Sequence, residues 1–80
     1  MLKEKIKIDN ELDFNNIKNK LKSTFYNFTF NEIDGLKIEN NSSWIHIRKS
    51  NTEPIIRIYI ESKNKQDSKA LFEKVKRSLI

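Results

Sequence analysis

The densest group of side chains able to do chemistry lies in the run Arg-Lys-Ser-Asn-Thr-Glu-Pro-Ile-Ile-Arg, residues 48–57. Its hydrogen-bond donors are two guanidinium groups, two hydroxyls and one amide, on Arg48, Ser50, Asn51, Thr52 and Arg57. The arginines also carry a permanent positive charge. A short loop of this composition is suited to bind a small, oxygen-rich anion, and phosphate is the first candidate. No base partner for the Ser50 hydroxyl is identifiable in the sequence, so the pattern indicates binding and not nucleophilic catalysis.

Two hydrophobic runs with the composition of β-strands flank this loop, residues 44–48 before it and 55–61 after it. The two arginines can therefore approach the loop from its two walls. The alternative is a polar hairpin loop whose arginines form surface ion pairs. Arg57 in particular has Glu53 and Glu61 as possible partners.

The loop and its flanks resemble the C-terminal domain of the α-D-phosphohexomutase family, which comprises phosphomannomutases, phosphoglucomutases and phosphoglucosamine mutases. The family pattern reads roughly Arg-x-Ser-(Gly/Asn)-Thr-Glu-Pro-x-x-Arg, and residues 48–57 match it. Asp34-Gly35-Leu36-Lys37-Ile38 upstream and Ile58-Tyr59-Ile60-Glu61 downstream extend the match. The resemblance is specific over residues 34–80 and strongest over 34–61, whereas residues 1–33 fit only in general pattern.

The resemblance implies that the loop binds a substrate phosphate. It assigns phosphate contacts to Arg48, Ser50, Asn51 and Thr52, with Arg57 as a further contact. Glu53 would repel a phosphate group, so we expect its carboxylate to fix the loop by accepting backbone or arginine hydrogen bonds. Lys49 is variable in the family pattern and is expected to face solvent.

Full members of this family interconvert hexose 1-phosphates and 6-phosphates through a bisphosphorylated intermediate, with a phosphoserine and a Mg²⁺ site on earlier domains. This chain contains neither the serine motif nor an Asp-x-Asp-x-Asp metal loop. We therefore expect it to be inactive alone, without a cofactor in this domain. Its implied role is to hold the phosphate that is not transferred. Its implied partners are the hexose phosphate and the other domains of the parent enzyme.

Composition indicates one small domain over residues 1–80, with a net charge of +5 and no cysteine. No apolar run approaches the roughly 20 residues of a membrane span, and the start lacks the apolar segment of a signal peptide. These features predict a cytoplasmic location without a membrane partner. A single histidine, His46, without nearby carboxylates or cysteines, indicates a structural or solvent-facing residue and no metal site.

The coarse order of elements is a helix, four strands in a meander and a second helix. The first helix is predicted within residues 9–23, with Asp13 or Asp9 as its N-cap. Asn64-Lys65-Gln66-Asp67 resembles a capping box that opens the second helix, and Asp34-Gly35 is a turn signal. Tyr26, Phe28 and Phe30 alternate as on a half-buried strand. Residues 3–8 fit either a short strand or a leading segment. The fold class is therefore α+β, a four-stranded antiparallel sheet with two helices packed on one face, and the resemblance implies a TATA-binding-protein-like form.

Two other functions stay open on the sequence alone. A basic chain with aromatic residues on strands is compatible with a nucleic-acid-binding module. However, the aromatic signature of the RNA recognition motif is absent, and a terminal helix stands where that fold needs a strand. The other alternative is a protein-interaction module that uses Tyr26, Phe28 and Phe30. We expect no nucleic-acid partner.

Overall fold

Five strands and two helices build the protein, as a computed structural model shows for residues 1–8, 13–50 and 53–79. The elements are β1 (Leu2–Lys7), α1 (Phe14–Thr24), β2 (Thr29–Asn31), β3 (Leu36–Glu39), β4 (Trp44–Lys49), β5 (Ile55–Glu61) and α2 (Lys65–Leu79). The strands form one antiparallel sheet in the order β1-β5-β4-β3-β2. Neither helix within the described residues is long and apolar enough to cross a membrane.

The prediction of an α+β fold with an antiparallel sheet and two helices is confirmed, but the prediction of four strands is wrong. Residues 2–7 add a fifth strand at the sheet edge, where Leu2 pairs with Ile60 and Lys7 with Ile55. The local pattern is weak because Lys3, Lys5 and Lys7 surround the few apolar residues of this strand. Its partner strand lies about fifty residues later in the chain, so local periodicity does not reveal the pairing.

The predicted strand through Tyr26, Phe28 and Phe30 is shorter than expected. Only residues 29–31 are extended, because the chain first turns after α1, where the Phe28 N–H donates to the Phe25 carbonyl at 2.9 Å. Phe28 and Phe30 are half-buried, whereas Tyr26 is 81% exposed. The alternation of aromatic residues therefore predicts contact with the core correctly for Phe28 and Phe30 but not for Tyr26.

The hydrophobic core lies between one face of the sheet and the two helices. In the strand register, Ile38, Ile45 and Ile60 form one row, and Leu36, Ile47 and Ile58 form the next. All six are fully buried, together with residues from both helices and the end of α1, namely Ile17, Leu21, Phe25 and Val75. Each such side chain contributes roughly 1.5–3 kcal/mol through burial. The opposite face of the sheet carries no helix and presents the alternate residues of every strand.

Both helices begin at the N-cap residues that the sequence indicates. The Asn15 N–H donates to the Asp13 carboxylate at 3.0 Å, which confirms Asp13 as the cap of α1. Asp9, the other candidate, lies outside the described residues. At α2, the Asp67 N–H donates to the Asn64 side-chain oxygen at 2.8 Å. Each cap satisfies a backbone donor that would otherwise lack a partner, an effect of about 1 kcal/mol.

Glu32 links the end of β2 to α1, since its carboxylate lies 2.7 Å from the Lys22 ammonium and 3.0 Å from that of Lys18. The hydrogen bond from Lys22, followed by that from Lys18, lowers the pKa of Glu32 below its usual value. A carboxyl group whose pKa is lower in the folded state stabilises the fold at pH values above its unfolded pKa. This stabilisation is lost as the pH falls through the folded-state pKa. We therefore expect Glu32→Gln to reduce stability at neutral pH but not at pH 2. Thermal unfolding at both pH values tests this, and an equal loss at pH 2 would contradict it.

Candidate anion-binding site

The loop between β4 and β5 is held at its base by backbone hydrogen bonds. The Ser50 N–H donates to the Ile55 carbonyl at 3.0 Å, and the Ile55 N–H donates to the Glu53 carbonyl at 2.8 Å. The Pro54 carbonyl accepts from the Ile8 N–H at 2.8 Å, which ties the loop to the residue after β1. The predicted contacts Asn51 and Thr52 lie outside the described residues. The loop therefore projects from three neighbouring strands, β1, β5 and β4.

Arg48 and Arg57 are brought together at the base of the loop, directly opposite each other on β4 and β5. Both lie on the sheet face without helices, because they alternate with the buried residues Ile47 and Ile58. Opposed residues of antiparallel strands have Cα atoms about 4.5–5.5 Å apart, so the two side chains start as neighbours. Like charges placed this way repel each other, and a doubly charged anion between them would relieve the repulsion.

Asp34 is a contact of the site that sequence reasoning missed. Its carboxylate Oδ1 lies 3.5 Å from the Arg48 Nε, and the two side chains are 64% and 53% exposed. An exposed pair of this length contributes little to stability. The pair places the Asp34 carboxylate beside the Nε of the Arg48 guanidinium. The Asp34-Gly35 signal predicts that this carboxylate lies in a turn. Its proximity to Arg48, however, depends on the pairing of β3 with β4.

The turn that carries Asp34 is pressed against β4 just before Arg48. His46 holds it there, since its ring Nε2 donates to the Asp34 carbonyl at 2.6 Å. Gly35 follows with a φ of +69°, a backbone conformation that other residues rarely adopt. Of the two roles predicted for His46, structural or solvent-facing, this hydrogen bond favours the structural one.

The alternative ion pairs proposed for Arg57 do not form. Within residues 1–8, 13–50 and 53–79, no ion pair joins Arg57 to Glu53 or Glu61. The expected role of the Glu53 carboxylate in fixing the loop stays a prediction, because the neighbouring loop residues 51 and 52 lie outside the described residues. Lys49 is exposed, as predicted. The described residues also contain no group of three His, Asp or Glu side chains able to hold a metal ion.

The chain belongs to the phosphohexomutase family. The family described as "Phosphoglucomutase/phosphomannomutase, C-terminal domain" matches residues 2–78, nearly the whole chain. The match includes residues 2–33, where the sequence pattern alone was weak. It therefore covers the added strand β1 as well as the loop.

Named enzymes from archaea show the same relationship. A probable phosphoglucosamine mutase from Pyrococcus furiosus is 38% identical over 78 residues, which is 94% of this chain and 17% of that protein. A phosphomannomutase from Methanocaldococcus jannaschii is 33% identical over 60 residues, 75% of this chain and 13% of that protein. A phosphoglucosamine mutase from the same organism is 45% identical over 42 residues, 52% of this chain and 9% of that protein. This chain thus corresponds to a small part of each relative.

Proposed function

We propose that this domain binds the non-transferred phosphate of a hexose phosphate during 1-phosphate/6-phosphate interconversion by a phosphohexomutase. The observation that carries the proposal is the direct opposition of Arg48 and Arg57 at the base of a loop rich in donors. Arginine donates two parallel hydrogen bonds to a phosphate, a geometry that lysine does not reproduce. Ser50 stands at the start of the loop, one residue beyond β4.

The proposed mechanism is electrostatic clamping without chemistry in this domain. Holding one phosphate fixes the substrate in the cleft, which orients the reacting phosphate at the other end and excludes water. In the bisphosphorylated intermediate either phosphate can occupy the same site, since the proposed contacts are to phosphate oxygens and not to a particular sugar carbon. Closing the cleft would require the other domains of the parent enzyme, which are the proposed protein partners.

The remaining parts of the reaction belong to those other domains. The phosphoserine and the Mg²⁺ implied by the family are proposed to lie there, because the described residues offer no group of three metal-binding side chains. We therefore expect no mutase activity from this chain alone. A cytoplasmic location and a TATA-binding-protein-like form both remain predictions. The names of the relatives make glucosamine phosphates the first sugars to test.

An amide chemical-shift titration of the 80-residue chain tests the clamp. We expect glucose 1,6-bisphosphate and glucosamine 6-phosphate to shift the amides of residues 48–57 saturably, with a Kd of roughly millimolar, about −4 kcal/mol. The affinity is weak because one wall of a cleft must offset the entropic cost of association. Sodium sulfate at equal ionic strength is the control. Diffuse shifts at lysines throughout the chain, equal for sugar phosphate and sulfate, would show charge screening only.

A further inference from the structure

Two further cations, Lys3 and Lys5, lie on the open sheet face beside the loop and outside the family pattern of residues 48–57. In the register, Lys5 stands opposite Arg57, which stands opposite Arg48, so three cations cross three neighbouring strands in one row. The next row places Lys3 opposite Tyr59, and Tyr59 opposite His46. The third row, farther from the loop, contains Trp44 between the carboxylates Glu39 and Glu61. Positive charge is therefore concentrated at the loop end of the sheet.

These cations surround a defined groove. It has a volume of about 420 Å³ and is lined by Lys3, Glu4, Lys5, Arg57 and Tyr59. Pockets that bind small ligands typically have volumes of about 300–1,000 Å³. By strand alternation, the Glu4 side chain starts from the opposite face, which leaves the open-face wall formed by three cations and a phenol ring.

Among the described residues, no ion pair neutralises the cations that line this groove, Lys3, Lys5 and Arg57. Lysines on an edge strand also prevent pairing with other sheets, and this explains Lys3, Lys5 and Lys7 in part. It does not explain Arg57, which lies on the interior strand β5. Arg48 in this row is paired with Asp34, but Lys5 and Arg57 face each other on adjacent strands and repel each other unless an anion lies between them.

We propose that Lys3, Lys5, Arg57 and Tyr59 form a second binding site, which takes a phosphate group of a small molecule. The Arg57 guanidinium and the Lys5 ammonium bind the phosphate oxygens from neighbouring strands. Lys3 adds a third positive charge, and the Tyr59 hydroxyl is a further donor. Arg57 stands between this groove and the loop, so it contributes to both sites. Lys5 and Lys3 belong to the groove alone.

Titration of the chain with inorganic phosphate and with diphosphate, followed by amide shifts and at constant ionic strength, tests this second site. We expect a saturable response at residues 3–5, 58 and 59, separate from that at residues 48–50, whereas the amide of Arg57 reports on both sites. Lys5→Ala should weaken the groove response about tenfold, as loss of one charge-assisted hydrogen bond does, and leave the loop response unchanged. Lys20→Ala, an exposed lysine on α1, is the matched control and should change neither response.

The outcomes separate this site from the loop. A groove response that chloride reproduces, or that Lys5→Ala leaves intact, overturns the second site even when the loop still binds. A groove response that survives in Arg48→Ala while the loop response disappears supports the second site whatever the loop's function. Tighter binding of a short oligonucleotide, with a steep salt dependence, would replace the small-molecule site by a nucleic-acid surface.

Discussion

Gly35→Ala is expected to destabilise the fold by about 3 kcal/mol, from dihedral strain and steric overlap together. The glycine has a φ of +69°, and a Cβ built there would overlap the Ile47 carbonyl oxygen and lie 3.2 Å from the Arg48 Cγ. Ile47 is a fully buried residue in the middle of the sheet, so β4 cannot move away without disturbing the core. For a domain of this size the change corresponds to a melting temperature lower by roughly 15 °C.

Two variants identify the cause of that loss. Asp34→Ala changes the neighbouring position of the same turn without backbone strain, and we expect a change within about 0.5 kcal/mol. Gly35→Asn places a residue tolerant of positive φ at the same point, so it isolates the overlap with Ile47. Urea unfolding followed by circular dichroism measures all three. Stability restored by asparagine would assign the loss to the dihedral angle alone, and unchanged stability in Gly35→Ala would contradict both causes.

Local sequence signals predicted the elements that depend on neighbouring residues. The Asp34-Gly35 turn, the strand from Ile55 to Glu61 and the cap at Asn64 depend on backbone preferences and alternation within a few residues. Strand β1, which the sequence leaves open between a short strand and a leading segment, depends instead on a partner far along the chain. The hydrophobic pattern of β1 is weak, because the strand contains three lysines and only Leu2 and Ile6 pack against the core.

The same distinction separates the predicted and missed parts of the site. The Arg-x-Ser pattern in one loop indicated an anion site, because the identity of a residue specifies which hydrogen-bond donors its side chain carries. The alignment of Lys5 with Arg57 and Arg48 is a property of register across three strands, which local alternation does not specify. The sequence predicted Asp34 as a turn residue. Its contact with Arg48 could not be predicted without the pairing of β3 with β4.

Arg48→Ala is expected to abolish saturable binding of sugar phosphate by the loop. A hydrogen bond to a charged group contributes roughly 1.5–3 kcal/mol, so its loss weakens a millimolar site at least about tenfold. The fold should be unaffected, because the Arg48 side chain is 53% exposed and its pair with Asp34 lies at the surface. Removing one of two opposed cations also relieves repulsion with Arg57, so stability should be unchanged or slightly higher.

Two matched variants make the Arg48 experiment specific for guanidinium geometry. Lys49→Ala removes the same charge one residue later, from an exposed side chain that starts on the other sheet face, and should retain binding. Arg48→Lys keeps the charge but loses the two parallel hydrogen bonds, so its affinity should fall between those of the wild type and Arg48→Ala. Amide shifts and urea unfolding are measured on each variant. If Arg48→Ala and Lys49→Ala lose affinity equally, the loop responds to net charge alone, and a full response in Arg48→Ala would remove Arg48 from the site.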